Sequence, residues 1–100
     1  MNITVIGCGR WGTFIAWYLD SIGHNVKLYG KSNAPQMQEL LQTRKNNLIS
    51  LSDSMTLTTS LDDALSDAET IIVSIGSQAL RGLLEEIKPY EIKNQTFVLC

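Results

Sequence analysis

Short, β-branched apolar runs alternate along the chain with stretches whose apolar residues recur every three or four positions. The run "ITVIG" at 3–7 is nearly continuous in apolar residues, the pattern of a strand covered on both faces. Past the next glycines, Ile15, Leu19 and Ile22 stand at helical spacing with Trp11 and Tyr18 beside them; Gly23 supplies a stop, which predicts a helix over 12–22. "NVKLYG" at 25–30 alternates Val26, Leu28 and Tyr29 around Lys27 and reads as a second strand. A helix over 34–46 follows, with Pro35 suited to its first turn and Met37, Leu40 and Leu41 on one side. "MTLTT" at 55–59 predicts a short strand, and Ser60 with Asp63 marks the start of a short helix over 61–66. "ETIIVSIG" at 69–76 is the most β-branched run and predicts another buried strand. A helix over 77–89 then carries Leu80, Leu83, Leu84 and Ile87 as its buried stripe and ends at Pro89. "QTFVLC" at 95–100 reads as a fifth strand.

Strand, tight turn, helix and strand within about 30 residues form a βαβ unit, whose strands are parallel and whose crossover is right-handed. The continued alternation predicts an α/β fold, a doubly wound parallel sheet with strand order 3-2-1-4-5. In such sheets ligands bind beyond the carboxyl ends of the strands. A chain that stops inside an apolar strand lacks the loop at that strand's end, so a truncated protein or excised domain is expected. Neither an internal repeat nor a low-complexity tract interrupts the alternation.

Composition narrows the partners. The 100 residues suit one domain, and 44% hydrophobic with 18% charged residues is the balance of an ordinary globular protein. A net charge of -2 gives no general basic field for a nucleic-acid backbone, so nucleic acid is not an expected partner. Cys8 and Cys100 are too few and too far apart for a disulfide framework or paired zinc ligands, which fits a reducing cytoplasm. The opening "MNITVIG" has no basic leader, and no run approaches the roughly 18 apolar residues of a membrane span.

The candidate chemistry lies in the first turn. Gly7, Gly9 and Gly12 match G-x-G-x-x-G directly after one strand and at the start of a helix, the context that gives this weak motif its meaning. Gly7 permits the tight turn, Gly9 lets backbone N–H groups approach a pyrophosphate, and Gly12 lets the helix pack closely on the sheet. The helix N-terminus supplies unsatisfied donors and partial positive charge for two phosphates.

Arg10 and Trp11 fill the variable places of the motif. Arg10 either adds charge near phosphate or ribose or is an ordinary exposed loop arginine. Trp11 is expected to cover the core near the first helical turn with incidental cofactor contact, the other reading being a wall on the nicotinamide side. After the second strand, where an NAD-preferring fold carries Asp or Glu for the ribose 2′-OH, the chain reads "YGKSN". Gly30, Lys31 and Ser32 offer no carboxylate against a 2′-phosphate; Lys31 can neutralise one and Ser32 can donate to it, which favours NADP over NAD. His24, at the other end of the second strand, reads as structural, and Asp62, Asp63 and Asp67 read as helix-start and surface charges without metal spacing. Cys8 is open to a lowered pKa in the phosphate turn, though a small buried filler is the commoner use. Ser74, Gly76 and Ser77 could touch the nicotinamide half of a cofactor, and a capping role for Ser77 stands equally open.

Along its whole length the chain resembles the amino-terminal domain of bacterial-type NAD(P)-dependent glycerol-3-phosphate dehydrogenases. The resemblance rests on "VIGCGRWGT", "GHNVKLYGKS", the "RKN" closing the following helix, and "SIGSQALRGLLEEI". It implies a Rossmann cofactor domain at 1–100 followed by an all-helical substrate domain that this sequence lacks. It further implies interconversion of dihydroxyacetone phosphate and glycerol 3-phosphate, by hydride transfer with NAD(P), for phospholipid synthesis. Its cofactor positions fall on Arg10, Trp11 and Lys31, whereas its catalytic and substrate residues fall beyond Cys100. The fragment alone is then expected to be inactive, with a small phosphorylated substrate and a possible homodimer belonging to the full-length enzyme. One departure is Gly76, where the family usually has proline. A ketopantoate-reductase-like enzyme and a non-catalytic nucleotide-sensing module are the competing readings.

Overall fold

The computed structural model describes residues 1–46, 48–90 and 95–99. Its elements are β1 (Asn2–Ile6), α1 (Arg10–Ser21), β2 (Asn25–Tyr29), α2 (Pro35–Thr43), β3 (Thr56–Thr58), α3 (Leu61–Leu65), β4 (Thr70–Val73), α4 (Ser77–Ile87) and β5 (Thr96–Leu99). The five strands form one sheet in the order β3-β2-β1-β4-β5, and every pair is parallel. Register runs Val5 opposite Leu28 on one side and opposite Ile72 on the other.

Alternation along β1 feeds two cores rather than one face and solvent. Ile3 and Val5 pack with Val26, Leu28, Ala16, Met37 and Leu40 beneath α1 and α2. Ile6 instead joins Tyr29, Ala64, Leu65, Leu83 and Ile87 beneath α3 and α4. Each fully buried aliphatic side chain contributes roughly 1.5–3 kcal/mol. Thr4 is buried among them because its hydroxyl donates to the Ala64 carbonyl at 2.6 Å. The central strand is therefore gripped from both sides, and the loops at its carboxyl end start from a fixed point.

The strands and helices fall where the sequence pattern puts them, within a few residues, and the exceptions have local causes. α1 begins at Arg10, two positions early, because Gly9 is its N-cap and Gly12 already lies in the helix. Its buried positions are the small residues Gly12, Thr13 and Ala16, so the expected apolar stripe is rotated: Ile15 and Leu19 are half-buried and Ile22 is exposed. α2 stops at Thr43 rather than 46, since Arg44 turns left-handed at φ 57 and its guanidinium donates to the carbonyls of Ser52 and Met55. Leu84, expected in the buried stripe of its helix, is exposed, and so is Leu41 beside the buried Met37 and Leu40. The cap of α3 follows expectation, with Ser60 Oγ accepting from the Asp63 amide at 3.2 Å. At α4 the N-cap is Gly76, not Ser77. Cys100, expected to close the fifth strand, and the side chain of Ser77 lie outside the described residues.

Candidate functional site

The carboxyl ends of β1, β2 and β4 meet at the point where the strand order reverses, between β1 and β4. Backbone bonds fix these ends: Gly7 N–H donates to the Tyr29 carbonyl at 2.9 Å and Ser74 N–H to the Ile6 carbonyl at 2.8 Å.

The three glycines of the first turn answer to different constraints. Gly7 has φ +124, and a Cβ there would stand 2.1 Å from the Ser74 carbonyl oxygen. A Cβ on Gly12 would stand 2.1 Å from the Gly7 carbonyl oxygen, so α1 sits directly against the turn. A Cβ on Gly9 would meet nothing within 4 Å, and Gly9 has an ordinary extended backbone, φ -68 and ψ -178. No protein neighbour requires a glycine there. What its missing side chain leaves clear is the N-terminus of α1, which has neither a side-chain cap nor an acidic residue in its first turn. The amides of Arg10, Trp11 and Gly12 precede the first intrahelical bond, from Thr13 N–H to the Gly9 carbonyl at 2.9 Å, and so remain free to meet an anion. Thr13 is fully buried and its hydroxyl donates to the Cys8 carbonyl at 3.0 Å, tying the turn to the helix.

The turn after β2 fits against side chains rather than backbone. A Cβ on Gly30 would lie 2.7 Å from both Cys8 Sγ and Met37 Sδ. Burial pushes the Cys8 thiol up, against smaller opposing contributions from backbone hydrogen bonds, so the residue is a filler between the turns and not an activated thiol. Beside it opens a largely apolar recess of about 240 Å³, lined by Gly7, Tyr29, Lys31, Ile75, Ala79 and Leu83 among others. Lys31 Nζ, at its edge, lies 3.6 Å from Glu86 Oε1 of α4. The absence of a carboxylate in "YGKSN" is thus a property of the local sequence, not of the folded corner.

The predicted residues do not all converge. Gly7 and Lys31 border the recess, whereas Arg10 lines a separate hollow of about 200 Å³ with Gln36, Glu39 and Asn46 on the α2 side. Trp11 is 61% exposed, which corrects the expectation that it covers the core; its ring stacks on Phe14 at 5.6 Å between centroids. Ser32 is exposed, and its backbone carbonyl accepts from Gln38 Nε2 at 3.3 Å. His24 sits at the amino end of β2, remote from the turn, as its structural reading expects. Asp63, in α3, is paired with Lys27 of β2 at 3.3 Å and lines none of these hollows. Sequence reading missed Thr13 as the tie of the turn, the apolar wall of Ile75, Ala79 and Leu83, and Glu86. The wall was findable: positions 79 and 83 share one helical face, and the strand order sets α4 beside the switch point. Among the described residues no group of three His, Cys, Asp or Glu could hold a metal ion, and no helix is long and apolar enough to cross a membrane.

Comparison with known proteins decides among folds of this kind. The family model for the N-terminus of NAD-dependent glycerol-3-phosphate dehydrogenase matches residues 2–100. The chain belongs to this family. A glycerol-3-phosphate dehydrogenase [NAD(P)+] from Thermoanaerobacter sp. (strain X514) is 30% identical over 102 residues, which are 99% of this chain and 30% of that protein. The chain therefore spans about a third of the length of this curated relative. The crystal structure of glycerol-3-phosphate dehydrogenase from Coxiella burnetii superimposes with a TM-score of 0.86 at 20% identity, over 98% of this chain and 31% of that one. An Enterococcus faecalis protein assigned as a 2-dehydropantoate 2-reductase shares the fold at a TM-score of 0.71 and 20% identity, over 99% of this chain and 33% of that one. The dehydrogenase family is defined by a nicotinamide dinucleotide. The open Gly9 position and uncapped α1 N-terminus fit the pyrophosphate of such a group.

Proposed function

We propose that this chain is the cofactor-binding domain, at 1–100, of a cytoplasmic oxidoreductase that interconverts dihydroxyacetone phosphate and glycerol 3-phosphate in glycerophospholipid synthesis. The observation that carries the reading is Gly9, which no protein contact explains and which clears the free amides of α1. Those amides, from Arg10 to Gly12, hold the pyrophosphate, while Gly7 and Thr13 keep the turn rigid beneath it. The apolar recess receives the adenine, with Tyr29 and Leu83 in its walls. Lys31 and Ser32 then stand on the side of the adenosine ribose, where Lys31 favours the 2′-phosphate of NADP. Arg10 and Trp11 flank the pyrophosphate from the α2 side.

When bound, the reduced nicotinamide supplies the hydride that adds to the ketone carbon, and the ketone oxygen takes up a proton. This domain's residues orient the donor. The groups that bind the phosphorylated substrate and polarise its carbonyl belong to a further, helical domain, and the full-length protein works as a homodimer. The test uses the full-length protein with dihydroxyacetone phosphate and NADPH or NADH, following nicotinamide absorbance. Oxidation with one or both supports the proposal; none with either, in protein shown to bind a dinucleotide, rules out this substrate.

A further inference from the structure

The sequence leaves the corner after β2 with a lone cation, but the fold supplies its counter-charge. Glu86 comes from the last turn of α4 and sets Oε1 3.6 Å from Lys31 Nζ. Both side chains are well exposed, 64% for Lys31 and 44% for Glu86, and an exposed pair of this kind adds little to stability. The fold does not need it. Its position is what matters: Lys31 lies on the rim of the apolar recess, and Tyr29 lies in the wall. The Tyr29 phenol is pushed up, first by burial and then by the negative charge of Glu86, so the field of this carboxylate reaches the recess.

We propose that Glu86 is a cofactor-selectivity residue, which holds Lys31 in an ion pair that a 2′-phosphate must break but a 2′-hydroxyl need not. The inference rests on the reading of the recess as the adenosine site. NADPH brings a phosphate of about two negative charges to this corner. It gains the Lys31 ammonium but displaces one carboxylate and then lies beside it, so part of the attraction is cancelled by repulsion. NADH leaves the pair intact. Lys31 alone tilts the site toward NADPH, and Glu86 reduces the tilt, leaving a domain that accepts both dinucleotides.

The experiment measures dissociation constants for NADPH and NADH on the full-length protein, by nicotinamide fluorescence, for wild type, Glu86→Gln, Lys31→Ala and the double variant. Glutamine keeps the length of the side chain and removes its charge; an unchanged melting temperature shows that the fold is intact. NADPH is expected to bind about two- to fivefold more tightly to Glu86→Gln, while NADH changes much less. The gain shrinks at high salt and in the Lys31→Ala background, where there is no pair to break. Equal changes for both dinucleotides, no change, or a gain that persists in full without Lys31 overturns the inference. If wild type binds neither dinucleotide, the adenosine-site reading itself falls and the inference with it. Wild-type binding with unaltered selectivity in Glu86→Gln overturns the inference alone.

Discussion

The turn after β1 and the corner after β2 share the wall of one recess, yet they are built by opposite means. In the first, the fit is steric: two glycines fit against backbone at 2.1 Å from a hypothetical Cβ, and a third leaves space open. In the second, two exposed charges from distant parts of the chain meet at 3.6 Å. Sterics at a backbone contact admit one residue type, whereas an exposed ion pair is energetically soft and easily retuned. On the proposed reading, the first region would set whether a dinucleotide is held and the second which one.

The largest effect should come from breaking the steric region. Gly7→Ala combines a positive φ with a Cβ overlapping the Ser74 carbonyl, and strain and overpacking together cost roughly 3–5 kcal/mol. Urea unfolding should show a midpoint far below wild type, or protein that does not fold. A change under about 1 kcal/mol would mean that the turn is looser than described. Gly9→Ala sharpens the contrast within the same six residues. Its Cβ enters open space from an ordinary backbone conformation, so stability should stay within about 0.5 kcal/mol of wild type. Dinucleotide affinity should nonetheless fall about tenfold or more, because the methyl group occupies the approach to the helix amides. Loss of stability with unchanged binding would reverse the assignments of Gly7 and Gly9.

How much of this was legible in the sequence follows the same division. G-x-G-x-x-G is a local pattern read against a strand before and a helix after; Gly7 and Gly12 sit in the tight turn and close helix packing that it predicts, and Gly9 faces open space. Sheet order was legible too, because alternating elements and short connections leave few topologies. Trp11 was misjudged because large apolar side chains are assumed to point inward. α1 lies so close to the sheet that its inner face is Gly12, Thr13 and Ala16, and Trp11, Phe14 and Tyr18 are left exposed. Arg44 ended α2 through bonds to carbonyls of Ser52 and Met55, partners that helical periodicity does not reveal. Glu86 was out of reach for the same reason: reading "YGKSN" by itself cannot show which carboxylate α4 swings over it.

The electrostatic corner should respond in a graded way. Lys31→Glu puts two carboxylates at the rim and removes the cation, and it should weaken NADPH about tenfold more than NADH, without a measurable change in melting temperature. Equal weakening of both would detach Lys31 from the ribose side of the site.

The smallest effect tests where the boundary between the two regions lies, and Cys8 sits on it. Its sulfur fills the space under Gly30, while its place beside a helix N-terminus is the setting that elsewhere lowers a thiol pKa. Burial prevails here and pushes the pKa up. The thiolate is the reactive form, so alkylation of Cys8 in the folded protein should be slower at pH 8 than that of a free cysteine peptide, rising only at higher pH; peptide mass mapping separates it from Cys100. The linked stability effect has a definite sign. Above the ordinary thiol pKa the unfolded chain releases this proton before the folded one does, so alkaline pH lowers stability slightly, until the folded-state pKa is passed. Cys8→Ser should abolish that slope and leave the ratio of NADPH to NADH affinity unchanged. Fast alkylation near neutral pH, or a shift in that ratio, would move Cys8 out of the steric framework and into the charged site.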